Sequence, residues 1–344
     1  MPIATKRSRW WLAVVAVGAL ALTACSGTPA PAPSGTGSAD QKNYNIAWLG
    51  GLETDPYFIT MQCGAQAEAK KLGVTIDWKG VNAVNNINQI NQNVDSQLLA
   101  NPDGFVFTAT GQNDNFNVLK INKAGIPLVE VQNLSSLGQY YQAFPSSYPQ
   151  DQVEAMGKMI ADSTKGKGTV AVFVGLPGPT YEPRWLPMVD ALSDAAPGMK
   201  ILDTQYTQFD TATTSADVAA TIVANPDLKV VYTSSGPEAA GAIAAVKTAG
   251  KEKDIQIYTF NATPTVIAAL KSGNVQAVLT TNPRLIGENA VKSIVEHLNA
   301  IAGGGKPTVE ADPHVVPSDV GLITADNVDD AKMASYLFVS KCDS

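Results

Sequence analysis

The chain has 344 residues, with 31 acidic and 24 basic side chains and a net charge of −7 at neutral pH. It has no basic stripe of the kind that neutralises phosphates, which excludes nucleic acid as a partner, and its acidity argues against docking on anionic lipid headgroups. The length allows two domains with cores of their own, and 45% hydrophobic against 16% charged residues suits a compact α/β protein.

Lys6, Arg7 and Arg9 precede an apolar run over residues 10–22, too short to stay in a membrane as a span. The run ends in Leu22-Thr23-Ala24-Cys25, which resembles a bacterial lipoprotein signal whose cysteine is lipidated and becomes the first residue of the mature chain. An ordinary secretory signal with an incidental cysteine is the alternative. Residues 26–43 are rich in Gly, Ser, Thr, Pro and Ala, which predicts a flexible tether of roughly 20–25 Å end to end. No other apolar stretch approaches a membrane span, so the lipid is the expected anchor. With Cys25 lipidated, Cys63 and Cys342 remain as an even pair in an oxidising compartment. A disulfide between them is the expectation, and two separate thiols are the alternative.

Further along, short β-branched runs alternate with helix-period segments, the pattern of βαβ units. Strands are predicted over 45–49, 74–78, 105–108 and 127–131, then over 169–174, 200–204, 230–233, 255–260 and 275–280. Helices are predicted over 57–72, 87–100, 151–164, 184–195, 212–224, 238–249 and 285–301. The gaps between strands are long enough for crossovers, so the sheets should be mainly parallel with right-handed connections. An internal repeat supports two lobes of like topology. Leu98-Leu99-Ala100-Asn101-Pro102-Asp103 leads into one strand, and Ile222-Val223-Ala224-Asn225-Pro226-Asp227 leads into another. In each, the proline disfavours a right-handed helical conformation at the asparagine before it.

In doubly wound lobes, ligands sit beyond the carboxyl ends of the strands, so the residues just after each strand are the candidates. After the first strand stand Asp55, Pro56, Tyr57 and Phe58. Asp55 before proline reads as a helix cap and equally as a carboxylate that accepts hydroxyl protons. Thr110 follows the third strand; Gln132 and Asn133 follow the fourth. In the second half a Gly/Pro-rich loop over 175–183 leads to Tyr181, Arg184 and Trp185. An arginine at a helix start opposes the helix dipole, which favours a role beyond a solvated surface residue. Phe209 follows the next strand, as core or as a ligand face, and Ser235, Asn261 and Asn282 complete the ring. Neutral donors and acceptors with aromatic faces, one arginine and one carboxylate suit a neutral polyhydroxylated ligand.

Chemistry has less support. His297 and His314 are the two histidines, and neither follows a strand. There is no HExxH, no metal-spaced Cys/His cluster and no G-x-S-x-G elbow. The run Gly303-Gly304-Gly305-Lys306 is followed by Pro307 instead of Ser/Thr and ends a helix. Paired carboxylates could do glycosidase work, yet Glu53, Asp55 and Glu182 read as caps and loop residues. No catalytic residue, metal or cofactor is expected.

From residue 46 to about 305 the chain resembles the periplasmic sugar-binding proteins of the ribose/galactose type that serve ABC importers. The resemblance is carried by Asp55-Pro56-Tyr57-Phe58, the segment 64–73, Ala124-Gly125-Ile126-Pro127-Leu128-Val129, and Tyr258-Thr259-Phe260-Asn261-Ala262-Thr263-Pro264. It implies that Asp55, Tyr57 and Phe58 line the cleft, that Arg184 grips hydroxyls and that Phe209 packs on the sugar ring. There are departures. Gln132-Asn133 stand where ribose-type proteins commonly carry Asp-Arg, Ser235-Gly236 where they carry Asn-Asp, and Asn261 in place of an aspartate. With these charges lost, a smaller or less oxidised polyol, a deoxy-sugar or another neutral hydroxylated compound fits at least as well as the common pentoses and hexoses. The segment 64–73, Trp78-Lys79-Gly80 and the stretch 323–328 look closer to the rhamnose and autoinducer-2 binding subgroup, although Gln132 stands where that subgroup tends to place an acid.

The resemblance implies two doubly wound parallel-sheet lobes joined by hinge strands near 142–150, 280–284 and 312–322. The organisation it suggests is a signal peptide over 1–24, a linker over 25–43, a first lobe over 44–145 plus 283–312, a second over 146–282 plus 313–324, and a tail over 325–344. Such a protein is not an enzyme. It acts as a monomer outside the cytoplasm, closing on a small neutral carbohydrate or polyol and delivering it to an ABC permease. A sensor that couples the same cleft to a signalling partner is the alternative, and a secreted carbohydrate hydrolase a lesser one.

Overall fold

The computed structural model describes residues 43–83, 86–109, 114–133, 142–145, 148–178, 181–305 and 314–342. The expected signal peptide, the linker, Cys25, Thr110 and the side chain of Arg184 lie outside the described residues. The first sheet contains β1 (Asn45–Leu52), β2 (Thr75–Val81), β3 (Gly104–Thr108), β4 (Leu128–Gln132) and β5 (Gln142–Pro145). Its helices are α1 (Pro56–Leu72), α2 (Ile87–Leu99) and α3 (Asp114–Lys123). In the second half come α4 (Gln150–Thr164), β6 (Thr169–Val174), α5 (Glu182–Ala195), β7 (Lys200–Ile201), β8 (Gln205–Tyr206) and α6 (Thr211–Ala224). They are followed by β9 (Leu228–Thr233), α7 (Gly236–Thr248), β10 (Gln256–Phe260), α8 (Pro264–Lys271) and β11 (Ala277–Thr281). Then α9 (Pro283–Ala302) packs on α1, β12 (His314–Val315) joins the first sheet, β13 (Val320–Thr324) joins the second, and a 3₁₀ turn spans Ala331–Tyr336.

The first sheet runs β2-β1-β3-β4-β5-β12 and the second β7-β6-β9-β10-β11-β13, with β8 also pairing with β6. Reading β7 and β8 as one interrupted strand, both lobes have the order 2-1-3-4-5, so the repeat in the sequence is a repeat of topology. All pairings are parallel except β11 with β13. Central strands such as β3 and β6 are buried along their whole length, as parallel strands covered by helices on both faces must be.

The two asparagines of the repeat leave the helical region by different routes. Asn101 is left-handed, with φ 53°, and Asn225 is extended, with φ −131°. Each ends its helix before a proline and hands over to β3 or β9. Helix α1 shows the same economy of signals. Asp55 caps it by accepting from the Tyr57 N–H at 2.9 Å, Pro56 occupies the first turn, and left-handed Gly73 closes it. Close approach of α1 and α9 depends on two glycines. A Cβ at Gly64 would sit 2.1 Å from the Arg284 carbonyl oxygen, and one at Gly287 would sit 2.1 Å from that of Met61.

Three features differ from the sequence expectation. The strand expected over 200–204 breaks after Ile201 and resumes at Gln205, because β7 pairs with the start of β6 and β8 with its end. Helices α3 and α8 have no bounds in the sequence expectation, although Lys123-Ala124-Gly125 marks the close of a helix and α3 ends there. The first is polar along most of its length, and the second has only eight residues. Finally, β12 pairs with β5 in the first sheet. The chain therefore crosses to the second sheet between Val315 and Val320, not at the expected boundary of 312/313. Other crossings lie between β5 and α4 and between β11 and α9. Among the described residues no helix is long and apolar enough to cross a membrane.

The tail ends on a disulfide between Cys63 of α1 and Cys342, with Cα atoms 5.2 Å apart. Just before it, the Val339 N–H donates to Thr60 Oγ1 at 2.8 Å. The Phe338 N–H donates to the Ala262 carbonyl, which follows β10 in the other lobe. The Phe338 ring packs edge-on against Tyr57, 5.6 Å between centroids. The tail thus touches both lobes.

Candidate functional site

The carboxyl ends of both sheets converge on one cavity. Leu52, Asp55, Tyr57, Phe58, Ala109, Gln132 and Asn133 line it from the first lobe, and Tyr181, Phe209, Ser235 and Asn261 from the second. Its volume is about 40 Å³. Outside it, and sharing Leu52, Asp55 and Phe209 with it, lies a wider vestibule with about 710 Å³ for water centres. Thr54, Asn82, Thr207, Asp210, Thr263 and Ser340 are among the residues around this mouth.

The two aromatic walls are built alike. Phe58 lies over Gly51 at the end of β1, where a Cβ would come within 2.3 Å of the ring. Phe209 lies over Gly175, just past β6, where a Cβ would come within 2.1 Å. In each lobe a strand-end glycine gives up its side chain so that a phenyl ring can lie flat against the backbone. Tyr57 packs edge-on to Phe58 at 5.1 Å, and Tyr181 packs on Phe209 at 5.6 Å.

The polar groups are mostly uncharged. Asp55 is the only carboxylate among the lining residues, and one of its oxygens caps α1. Asn133 is fixed by donating its Nδ2 to the Ala109 carbonyl at 3.0 Å. Asn261 is 4% exposed, and its Oδ1 is buried with no hydrogen-bond partner among the described residues. Leaving such an oxygen unsatisfied costs about 1–3 kcal/mol. Gln132, Phe209 and Asn261 all have left-handed backbones, with φ of 79°, 60° and 73°. Side-chain-bearing residues avoid that region, and strain gathers where geometry serves a site.

Of the residues singled out in the sequence, nine line this cavity: Asp55, Tyr57, Phe58, Gln132, Asn133, Tyr181, Phe209, Ser235 and Asn261. Trp185 stands behind, in a small space shared with Gly175, Tyr181, Phe209 and Ser234. Its Nε1 is buried with no hydrogen-bond partner among the described residues. Asn282 is elsewhere: it caps α9 by accepting from the Leu285 N–H at 3.1 Å. Leu52 and Ala109 also line the cavity and were not singled out. Both close a buried strand, which is the signal that could have found them.

Residues 46–303, more than half of the chain, match the family model described as a periplasmic binding protein domain. The ribose import binding protein of Bacillus subtilis is 24% identical over 274 residues, covering 79% of this chain and 87% of that protein. The D-ribose/D-allose-binding protein of Pseudomonas aeruginosa is 27% identical over 279 residues, covering 78% and 85%. Among solved structures, an ABC transporter solute-binding protein from Agrobacterium vitis with bound α-D-tagatopyranose superposes with a TM-score of 0.76 at 24% identity, covering 86% of this chain and all of that one. A second from the same organism, with bound D-fucose, gives 0.74 at 21%, again over 86% of this chain. The fold, the cleft between like lobes and the matched model agree: the chain belongs to the periplasmic binding protein family.

Proposed function

We propose that the protein is an extracytoplasmic solute receptor that captures a small neutral sugar or polyol between its lobes and delivers it to an ABC import permease. The observation that carries this reading is the shared cavity. Two opposed aromatic faces, Phe58 and Phe209, flank neutral polar groups, one of which, Asn261 Oδ1, is buried and waits for a donor. A sugar hydroxyl supplies that donor, and the C–H faces of the ring cover the phenyls. The names of the relatives, which bind ribose or allose, and the sugars bound in the similar structures support the ligand class.

In this reading Asp55, Gln132, Asn133, Ser235 and Asn261 bond the hydroxyls, and Tyr57, Phe58, Tyr181 and Phe209 form the apolar faces. Arg184, near the start of α5, and Thr110 are assigned to the ligand as well, and Trp185 backs the second wall. Lobes closing about the crossings at β5, β11 and β12 trap the ligand, and the closed form is what the permease meets. Lipid on Cys25 keeps the monomeric receptor beside the permease. The reading needs no cofactor and no bond-making step.

Calorimetric titration with a panel of D-ribose, D-allose, D-arabinose, D-tagatose, D-fucose, L-rhamnose and xylitol tests it. Saturable binding of at least one member with a Kd below about 100 μM, lost in Phe209→Ala, is the expected result. No binding to any member ends the sugar reading. Mass analysis of the protein from its native host tests the anchor, since lipidation adds acyl chains at Cys25.

A further inference from the structure

Behind the second lobe's wall lies a carboxyl group that the proposed binding step does not touch. Glu238, in the first turn of α7, is fully buried. Its Oε2 accepts from the Ser234 N–H at 3.0 Å and from Ser234 Oγ at 2.8 Å. Its Oε1 lies 3.1 Å from Thr207 Oγ1. Ser234 precedes the cavity residue Ser235, and Thr207 lies two residues before Phe209. One side chain therefore holds two loops that each present a lining residue, and Thr207 passes the hold on to β6 through Val174.

Counting protons makes the arrangement specific. Thr207 has one hydroxyl proton and two acceptors near it, Glu238 Oε1 and the Val174 carbonyl at 3.2 Å. If Glu238 is ionised, the Thr207 hydroxyl can donate to only one of them, and the Val174 carbonyl then keeps only the Thr207 N–H, at 2.8 Å. If Glu238 carries a proton on Oε1, the acid donates to Thr207 Oγ1, Thr207 donates to Val174, and both contacts are hydrogen bonds. We propose that Glu238 is a positioning residue whose proton joins the Phe209 loop to the Ser235 loop, so that ligand affinity weakens as that proton is lost. This rests on the sugar-binding reading of the cleft.

The electrostatics agree with the geometry. Burial pushes the Glu238 carboxyl up to about 7, against the opposing hydrogen bonds from Ser234, Thr207 and Ser235. The ionisable groups on the elements around α7 are Tyr206 of β8, Asp210 and Asp217 at α6, Lys229 and Tyr232 of β9, Tyr258 of β10 and Lys271 of α8, with Lys247 on α7 itself; Tyr232 and Tyr258 belong to the core on the other face of the sheet from α7. Asp210 caps α6 through Thr213, Tyr258 bonds Ser163 and Gln256, and Lys271 pairs with Asp329. None of them is a hydrogen-bond or ion-pair partner of Glu238 among the described residues, so burial and not a neighbouring charge sets its proton affinity.

The test pairs the native protein with Glu238→Gln, whose amide donates to Thr207 and accepts from Ser234 as the protonated acid does. The Kd of the tightest binder in the sugar panel is measured from about pH 6 to about pH 8.5. The expected rise in Kd is about fivefold in the native protein, with no pH step in the variant. Hydrogen exchange over 207–210 and 234–236, corrected for the intrinsic pH dependence, is measured on the empty protein in parallel. It should quicken above pH 7 in the native protein alone. Thr207→Val, which removes the shared hydroxyl, should abolish the step at 207–210 and provides the readout if Glu238→Gln folds poorly. If no sugar binds at any pH, the sugar reading fails and the exchange data still decide the role of Glu238. The same pH step in native and Gln proteins, by either readout, overturns the proposal.

Discussion

The two lobes share a strand order but hold their cleft-facing ends by different means. In the first, the wall is part of the backbone frame. Asp55 lines the cavity while capping α1, and α1 is pressed against α9 at Gly64 and Gly287 and tied to the tail at Cys63. In the second, the strand corresponding to β2 is split into β7 and β8. The loop that follows turns back through two consecutive left-handed residues, Gln208 and Phe209. That loop is steadied from behind by hydrogen bonds to a buried acid. A wall fixed by close backbone contact has no proton to lose, whereas one fixed through Glu238 does. The first lobe should therefore answer to covalent and steric changes, and the second to pH.

The largest effect should come from the covalent tie. The Cys63–Cys342 bond closes a loop spanning 279 residues, and removing a native disulfide costs about 2–5 kcal/mol. Cys342→Ser, or reduction of the native protein, should lower the urea midpoint accordingly. An unchanged midpoint would show that the tail's hydrogen bonds at Thr60 and Ala262 suffice without the disulfide.

Next comes pH. The Glu238 carboxyl rises from an ordinary 4.5 to about 7 on folding, so the folded state holds the proton more tightly than the unfolded chain. Its contribution is fully favourable below about 4.5 and is lost as pH rises to about 7, by up to about 3 kcal/mol. Burial moves His297 downward. That shift disfavours its charged form and costs stability as pH falls through the ordinary histidine range. Stability measured by urea unfolding should thus fall between about pH 4.5 and about pH 7 in the native protein relative to Glu238→Gln, in which His297 alone acts over that range. Parallel profiles over that range in both would refute the assignment.

Much of this contrast could be read in advance from the first lobe and little of it from the second. Asp55-Pro56 announces both a helix start and a strand-end carboxylate, and Phe58 follows at once, so one short segment displays wall and frame together. Phe209 was visible as a residue after a strand, but its seat over Gly175 joins residues far apart in the chain. Glu238 is silent in the sequence. A glutamate in the first turn of a helix reads as a surface residue that favours the helix dipole, and only the fold shows it enclosed by Ser234 and Thr207. The short edge elements were silent for another reason. Two residues of β12 have no period to detect, and the pairing with β5 comes from tertiary placement. The eight residues of α8 make little more than two turns, too few for a helical period to stand out.

A smaller, steric effect should separate the lobes again. Gly287→Ala puts a Cβ 2.1 Å from the Met61 carbonyl oxygen, and relieving the clash requires α1 and α9 to part, at about 1–3 kcal/mol. Because α1 carries Asp55, Tyr57 and Phe58, the variant should also bind sugar more weakly. In the second lobe a Cβ at Gly241 would lie 2.5 Å from the Thr211 carbonyl oxygen of α6. Gly241→Ala should cost comparable stability. Its effect should reach the cleft through the start of α6 and the loop that bears Phe209. If either variant loses stability with no change in sugar affinity, that lobe's helix packing does not position its wall.

The smallest effect should have the opposite sign. Asn261 is held at φ 73° with its Oδ1 buried and unpaired among the described residues. Asparagine tolerates the left-handed region better than most residues, so conformational relief in Asn261→Gly is slight, and the added freedom of the unfolded chain roughly cancels it. What remains is removal of an unsatisfied buried oxygen. The space it vacates opens on the cavity, where water can enter, so no sealed void offsets the gain. The empty variant should therefore be more stable by about 1 kcal/mol. With sugar present the order should reverse, because the oxygen that was a burden in the empty cleft is then an acceptor that the variant lacks. Thermal unfolding of both proteins, with and without the tightest binder of the panel, measures the two differences. If the empty variant is less stable than the native protein, Asn261 serves the fold at that turn and not the ligand.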